Sequence, residues 1–388
     1  MRDVVVLGVG MHKFGKFLDL GIKDLSRVAA WEALKDAGIT PKDIQVAYVG
    51  NAMAGLLTGQ ECIRGQVVLR EIGLVGIPIT NVENACASAS TAFREAWIAV
   101  GSGLYDVALA LGFEKLYSES TVKSLEALAA NTDVFLEGKM GFLFAGAYAM
   151  NIQRHMKEYG TTREQLAMVT VKNRKNACYN PFAQYRSEVT VDEVLNSRMI
   201  ADPITLLMCA PMGDGAAAAV LCSKKFARKK TTKPIYVAAS SLKSGAATRN
   251  IRALPKNIVE RCAEEAYERA GLGPEDIDVA EVHDAMAPAE LLVYEQLGFC
   301  GKGESGAMIA SGKTNIGGPI PVNTSGGLSS KGHPVGSTGL AQIAEITWQL
   351  REQAENRQVQ GAKIGLTENG GGIIEGEGAV VCIHILKR

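Results

Sequence analysis

Three side chains give this sequence a chemistry: a cysteine at 86 and histidines at 283 and 333. Cys86 sits in Asn84-Ala85-Cys86-Ala87-Ser88-Ala89-Ser90, with an apolar run before it (Ile77–Val82) and a helix-forming run after it (Ser90–Val100). That order places the thiol at a helix N-terminus, where unpaired N–H groups and the macrodipole favour thiolate. His333 lies in Asn323-Thr324-Ser325-Gly326-Gly327-Leu328-Ser329-Ser330-Lys331-Gly332-His333-Pro334-Val335-Gly336-Ser337-Thr338-Gly339. Five glycines and a proline bracket one imidazole, just before a helix over Leu340–Leu350. Glycine permits turns and close approaches closed to other residues, and Pro334 suits a first helical position. His283 ends a short strand and is followed by Asp284, read as the N-cap of the helix containing Leu291–Gln296. A cysteine with two histidines can carry out nucleophilic acyl transfer: the thiolate takes an acyl group as a thioester and an imidazole activates it. Backbone N–H of Cys86, the histidines, and the Gly370-Gly371-Gly372 stretch, Gly371 in particular, are candidate oxyanion donors. Small residues at 87, 89, 285 and 287, all alanine, leave room for a bulky acyl group. His12, His155 and His384 have no comparable context and read as structural or solvated.

The elements that position these groups are visible in an internal repeat. Lys23–Met53 and Lys256–Met286 align without gaps at an offset of 233, with 14 of 31 positions identical. Each copy reads as an amphipathic helix, a glycine stop (Gly38, Gly271), a turn with proline (Pro41, Pro274) and a buried strand. The copies diverge at the strand end, where open α/β sheets bind ligands. Copy one has Gly50-Asn51-Ala52-Met53 and copy two has His283-Asp284-Ala285-Met286. Apolar runs at Val4–Val9, Val46–Val49, Val107–Phe113, Ala216–Leu221, Ile235–Ala239, Val279–Val282 and Gly378–Leu386 read as strands between helical segments such as Leu25–Ala37 and Ile258–Ala270. Such alternation indicates α/β layers. A polar, mostly helical excursion spans about 117–205. The basic run Lys224–Lys233 reads as a solvated helix and linker, which sets two halves at 1–230 and 231–388.

Bulk properties narrow the setting. The chain has 388 residues, 47% hydrophobic and 21% charged, which suits a large globular core. Its formal net charge is zero, so nothing points to nucleic acid or a membrane surface. Eight scattered cysteines form neither a disulfide framework nor a metal-binding C-x₂₋₄-C pair, and indicate free thiols, no metal and a cytoplasmic setting. The opening MRDVVVLGVGM reads as a first strand rather than a signal peptide.

These motifs together resemble the thiolase superfamily over nearly all of the chain. NACASAS is similar to its nucleophile segment, NTSGGLSSKGHPVGSTG to its second active-site segment, and ENGGG to its terminal glycine loop. The His-Asp pair at 283–284, with HDAMAPAELLVYEQLGFC and NPFAQYR, resembles the sterol-carrier-type branch and its archaeal and bacterial relatives without the carrier domain. The resemblance implies an α/β thiolase fold: two duplicated βαβαβ-type halves in a layered α-β-α-β-α core, with 117–205 as a loop domain. It implies Cys86 as acyl-accepting nucleophile, His333 as its activating base and His283 as oxyanion-hole donor. It also implies coenzyme A as substrate with no tightly bound cofactor, a dimer or tetramer, and a small zinc-ribbon/OB-fold partner subunit. The expected reaction is thiolytic cleavage of a 3-oxoacyl-CoA or the reverse Claisen condensation, on acetoacetyl-CoA or a larger, even aromatic, substrate such as benzoylsuccinyl-CoA. Two departures stand out. The second cysteine of ordinary thiolases, before the glycine loop, is replaced by Thr367-Glu368-Asn369. The alternative position after His-Asp holds Ala285. Proton transfer then falls to His283, His333, Glu368 or a bound water. A Cys-His-His set also serves decarboxylating ketoacyl synthases, and the missing cysteine also fits a non-catalytic CoA-binding subunit; both stand as alternatives.

Overall fold

The computed structural model describes residues 1–228, 230, 233–246 and 256–388. Eleven strands follow in chain order: β1 Val4–Met11, β2 Val46–Gly50, β3 Ile79–Val82, β4 Val107–Glu114, β5 Met199–Ala201, β6 Ile204–Thr205, β7 Gly215–Ser223, β8 Ile235–Ser244, β9 Val279–Glu281, β10 Ile364–Ile374 and β11 Glu377–Lys387. Nine of them form a continuous sheet in the order β3-β2-β4-β7-β1-β8-β11-β10-β9, while β5 and β6 pair separately. The two halves meet where β1 pairs with β8, Val5 against Tyr236 and Val6 against Ile235.

Side-chain alternation sorts the layers. Val4 and Val6 point to one cluster, with the Ser88–Gly101 and Thr338–Arg351 helices. Val5 and Leu7 point to the opposite one, with the Ile22–Ala37 helix. In the second half, Leu366, Ile383 and Ile385 pack outward against the Ile258–Ala270 helix. The core therefore runs helix, half-sheet, paired helices, half-sheet, helix. The period-2 pattern of strands between 3.6-period helices predicts this build, and the expected thiolase-type α/β fold is what the chain adopts.

The repeat is structural. Both copies form a helix stopped by a left-handed glycine, Gly38 at φ 62° and Gly271 at φ 65°. A one-turn 3₁₀ segment, Pro41–Asp43 or Pro274–Asp276, then leads into β2 or β9. Between Glu114 and Gly215 the chain forms helices Thr121–Ala129, Phe144–Tyr159, Arg163–Cys178 and Val191–Asn196 plus the β5–β6 hairpin. Of the basic run Lys224–Lys233, Lys224–Ala227 is helical; Lys229, Thr231 and Thr232 lie outside the described residues.

Two expectations change here. The ENGGG stretch is no loop: Glu368–Gly372 lies inside β10, with Glu368 to Gly371 paired to β11. Glycine disfavours strands, which hid the element, but a Cβ on Gly371 would lie 2.4 Å from Asn84 O, so only glycine lets β10 approach the Cys86 turn this closely. Asp284 is not an N-cap either. The helix starts at Ala287 with Met286 before it, and the fully buried Asp284 carboxylate accepts from Leu328 N (2.7 Å) and Asn173 Nδ2 (2.9 Å). It anchors the glycine-rich loop rather than a helix.

Candidate active site

Each half contributes a strand, a single 3₁₀ turn and a central helix. In the first half the turn is Ala85–Ala87 before Ser88–Gly101; in the second it is Val335–Ser337 before Thr338–Arg351. The first carries Cys86 at its middle. The second follows directly on His333-Pro334, so Pro334 opens the 3₁₀ turn rather than the helix itself.

The Cys86 turn is held by its own polar atoms. Ser88 Oγ donates to Ala85 O (2.7 Å), Asn84 N donates to Ser88 Oγ (2.9 Å), and Asn84 Nδ2 donates to Thr91 Oγ1 (3.0 Å). Ala85 takes φ 49°, left-handed backbone that costs a non-glycine residue on the order of 1–2 kcal/mol. This strained residue aims the next side chain, Cys86, at the cavity. The His333 loop is laced to its surroundings in the same manner. Asn180 Nδ2 donates to Ser325 O, Gln184 N to Lys331 O and Tyr185 N to Ser330 O, so the NPFAQYR segment clamps it. Fully buried Lys331 donates to Ser325 Oγ (2.8 Å) and Glu281 Oε2 (3.2 Å).

The sulfur of Cys86 and a ring nitrogen of each of His283 and His333 lie within 4.8 Å of one another. The two imidazoles meet edge to face, with centroids 5.1 Å apart. His333 Nδ1 is 2.7 Å from Thr338 Oγ1. That hydroxyl donates to Pro334 O, so it accepts from Nδ1–H, leaving Nε2 with the lone pair. His283 is held through its backbone N–H, which donates to Glu368 Oε2 at 2.9 Å, while its Nε2 is buried without a protein partner. A Cys-His-His set is also one that a zinc ion accepts.

All three residues line one cavity of about 740 Å³, together with Glu368, Gly370–Gly372, Tyr148, Ala285, Met286 and Leu292. Among the described residues, Cys86 is the only cysteine in its wall. Of the four alanines expected near the reactive groups, only Ala285 lines it; Ala87, Ala89 and Ala287 are fully buried. Asn131, in the turn after the Thr121–Ala129 helix, and Phe144, Tyr148, Asn151 and Arg154 of the Phe144–Tyr159 helix close one side. The sequence offered no signal for Tyr148.

Burial sets the protonation states. It lowers the pKa of His283 to about 4 and lowers that of His333 well below its usual value, with the neighbouring His283 adding to the second effect. Both imidazoles rest neutral. Cys86 keeps some accessible surface on the cavity, yet protein surrounds it otherwise, and desolvation pushes its thiol up to about 12. This is opposite to the direction expected from a helix terminus alone. The backbone amides of Gly372 and of Cys86 itself, close to the sulfur, work against that rise. Gly371 supplies the close approach of β10 to this turn. The resting site is a thiol beside neutral imidazoles, ready for proton transfer at the moment of attack.

A duplicated α/β chain whose two central helices present a cysteine and a histidine to one cavity belongs to the acyltransferases. Family models agree: the thiolase N-terminal domain matches residues 4–225, and a thiolase C-terminal domain-like model matches 241–384. The chain is 46% identical to an acetyl-CoA acetyltransferase of Methanothermobacter thermautotrophicus, covering all of both chains. It is 41% identical to the benzoylsuccinyl-CoA thiolase subunit BbsB of Thauera aromatica, covering 96% of this chain and 95% of that one. Among solved structures, an Ltp2-ChsH2(DUF35) aldolase superposes with a TM-score of 0.82 at 27% identity, covering 99% of this chain and 97% of that one. The chain belongs to the thiolase family, and it is a thiolase-type acyltransferase using CoA thioesters.

Proposed function

We propose that the chain interconverts a 3-oxoacyl-CoA plus coenzyme A with two acyl-CoAs through a thioester on Cys86. The observation that carries this is the convergence of Cys86, His283 and His333 from both halves onto one cavity. In cleavage, His333 Nε2 takes the Cys86 proton as sulfur attacks the 3-oxo carbon, so no stable thiolate is needed beforehand. The unpartnered His283 faces charge developing on oxygen, and backbone N–H groups of Cys86 and the Gly370–Gly372 stretch, Gly371 among them, complete the oxyanion sites. Coenzyme A then accepts the acyl group from sulfur, and no tightly bound cofactor takes part.

The cavity is roomy enough for acyl groups larger than acetyl, and Phe144, Met286, Leu292 and Val293 give it an apolar arm. Similarity to both an acetyl-CoA acetyltransferase and a benzoylsuccinyl-CoA thiolase subunit supports acetoacetyl-CoA and a bulkier aromatic substrate as the two candidates. The DUF35 chain in the name of the similar aldolase supports a small zinc-ribbon/OB-fold partner subunit here. Exposed Leu125, Phe135, Leu136, Met140 and Leu143 of the inserted segment supply apolar surface for such a partner or a second copy. We assign the enzyme to the cytoplasm as a homo-oligomer; no helix among the described residues is long and apolar enough to cross a membrane.

Thiolysis of acetoacetyl-CoA and of benzoylsuccinyl-CoA, followed as loss of the 3-oxoacyl thioester, tests the reading. The Cys86→Ser variant is expected to lose at least about 10⁴-fold in turnover. Full turnover in that variant would overturn the proposal.

A further inference from the structure

Carbon–carbon bond chemistry of this kind needs a second proton carrier, one that takes a proton from the α-carbon of an acyl-CoA or returns it. Among the described residues no cysteine but Cys86 lines the cavity, so another side chain must supply it. Cys262 and Cys382 are fully buried, and Cys209 and Cys300 lie outside the cavity wall.

We propose that Glu368 is this proton carrier, exchanging a proton between its Oε1 and the substrate α-carbon. The inference rests on the thioester reading and deepens it. Three observations carry it. First, Glu368 is one of the cavity's lining residues yet is only 2% exposed, so its carboxyl is removed from bulk water but open to a bound ligand. Second, its two oxygens are differentiated. Oε2 accepts from His283 N at 2.9 Å, whereas Oε1 has no protein donor among the described residues. A Cβ built on Gly370 would lie 3.7 Å from Oε1 and 3.4 Å from His283 Nδ1, so carboxyl and imidazole border the same side-chain-free patch of β10. Third, the other half of the fold does without a carboxylate at this position. Residue 367 faces Glu281 across β10–β9, as Ala110 faces Tyr48 across β4–β2. With Glu281 and Tyr48 equivalent in the repeat, Glu368 takes the place of Leu111, a buried apolar residue in the other half. Burial also raises the Glu368 pKa to about 7, which suits a group that must both accept and release a proton near neutrality.

The step balances. In cleavage, the Cys86 proton passes to His333, sulfur bonds to the 3-oxo carbon, and the Cα–Cβ bond breaks with its electron pair left as an enolate. Protonated Glu368 gives its proton to Cα and becomes a carboxylate, releasing the first acyl-CoA. The carboxylate then takes the thiol proton of incoming coenzyme A, whose sulfur displaces Cys86 from the acyl group. The proton on His333 returns to the Cys86 sulfur. Condensation runs the same transfers backwards.

The test uses the full chain, acetyl-CoA as probe and D₂O as solvent. Acetylation of Cys86 is read by peptide mass spectrometry, and deuterium entering the acetyl methyl of acetyl-CoA is read by NMR. Glu368→Gln keeps an acceptor for His283 N–H. It is expected to acetylate Cys86 more slowly, since CoA then leaves without the Glu368 proton, but to reach the full adduct on long incubation, while deuterium exchange measured on the acetylated enzyme falls about 10²–10⁴-fold, the range of general acid–base contributions. Glu368→Cys, which restores a proton-exchanging group on the same strand position, is expected to recover at least about tenfold over Gln. Exchange at the wild-type rate in an acetylated Glu368→Gln enzyme overturns the proposal alone. Absence of the Cys86 adduct in every protein, wild type included, overturns the thioester reading and the proposal with it.

Discussion

The ends of β2 and β9 are two versions of one strand, and their difference shows how a scaffold was made into a site. At the end of β2, Gly50 lies against the Ser88–Gly101 helix, where a Cβ would sit 2.6 Å from Ser88 O. Asn51 and the amides of Ala52 and Met53 turn inward to the buried Glu114 carboxylate, which also receives Gly336 N from the His333 turn. That end is closed, and it seats the turns that carry Cys86 and follow His333. At the end of β9 the same frame is open. His283 and Glu368 face the cavity where Gly50 and Leu111 pack in the other half, and Asp284 holds the His333 loop by Leu328 N. Duplication thus supplied one strand end to support the reactive groups and another to carry them.

Erasing the difference should have the largest effect. His283→Gly gives β9 the residue of β2, and kcat for thiolysis is expected to fall about 10²–10³-fold, the usual loss for one oxyanion donor. A matching rise in KM alone, with kcat intact, would show that His283 binds ground state and transition state equally. The opposite exchange acts on stability. Gly50→Ala forces a methyl against the Ser88 backbone, and overpacking of this sort is expected to destabilise by about 1–3 kcal/mol in denaturant unfolding. An unchanged midpoint would mean that β2 can retreat from the helix.

The smallest effect is on pH dependence. The folded-state pKa of His283 is about 4, below the 6.5 of an ordinary histidine. The unfolded chain therefore takes up that proton first as pH falls, and the stability conferred above pH 6.5 drains away down to about 4. Glu368 works in the other sense: its folded pKa of about 7 lies above the ordinary 4.5, so its contribution is present at low pH and is lost as pH rises through 7. Gly50 contributes nothing of either kind. His283→Gly is accordingly expected to flatten the fall in stability between pH 6.5 and 4 by on the order of 1 kcal/mol, seen in thermal melts. An unaltered slope would place the titration elsewhere, for instance on buried His384, whose pKa burial lowers to about 3.

Much of this was legible in the residues. The repeat, the α/β alternation and the glycine-bracketed histidine each leave a local pattern, because helix and strand periods and left-handed glycines are written into neighbouring positions. What was hidden depends on distant packing. The β10 strand looked like a loop, since its glycines serve a close approach to Asn84 rather than a turn. Asp284 looked like a helix cap, since its true partners, Asn173 and Leu328, are 111 and 44 residues away. The thiol was expected to be acidified by its helix, but burial by remote segments outweighs that local influence. Tyr148 reaches the cavity from a helix whose sequence carries no sign of it.

The proposed chemistry turns on a covalent acyl group at one of eight cysteines. The most direct measurement is peptide mass spectrometry after brief incubation with acetyl-CoA, acetoacetyl-CoA or benzoylsuccinyl-CoA and an acid quench. The expected result is a single acyl adduct on Cys86, absent after addition of coenzyme A. An adduct on another cysteine, or none with any of these thioesters while thiolysis proceeds, would contradict it.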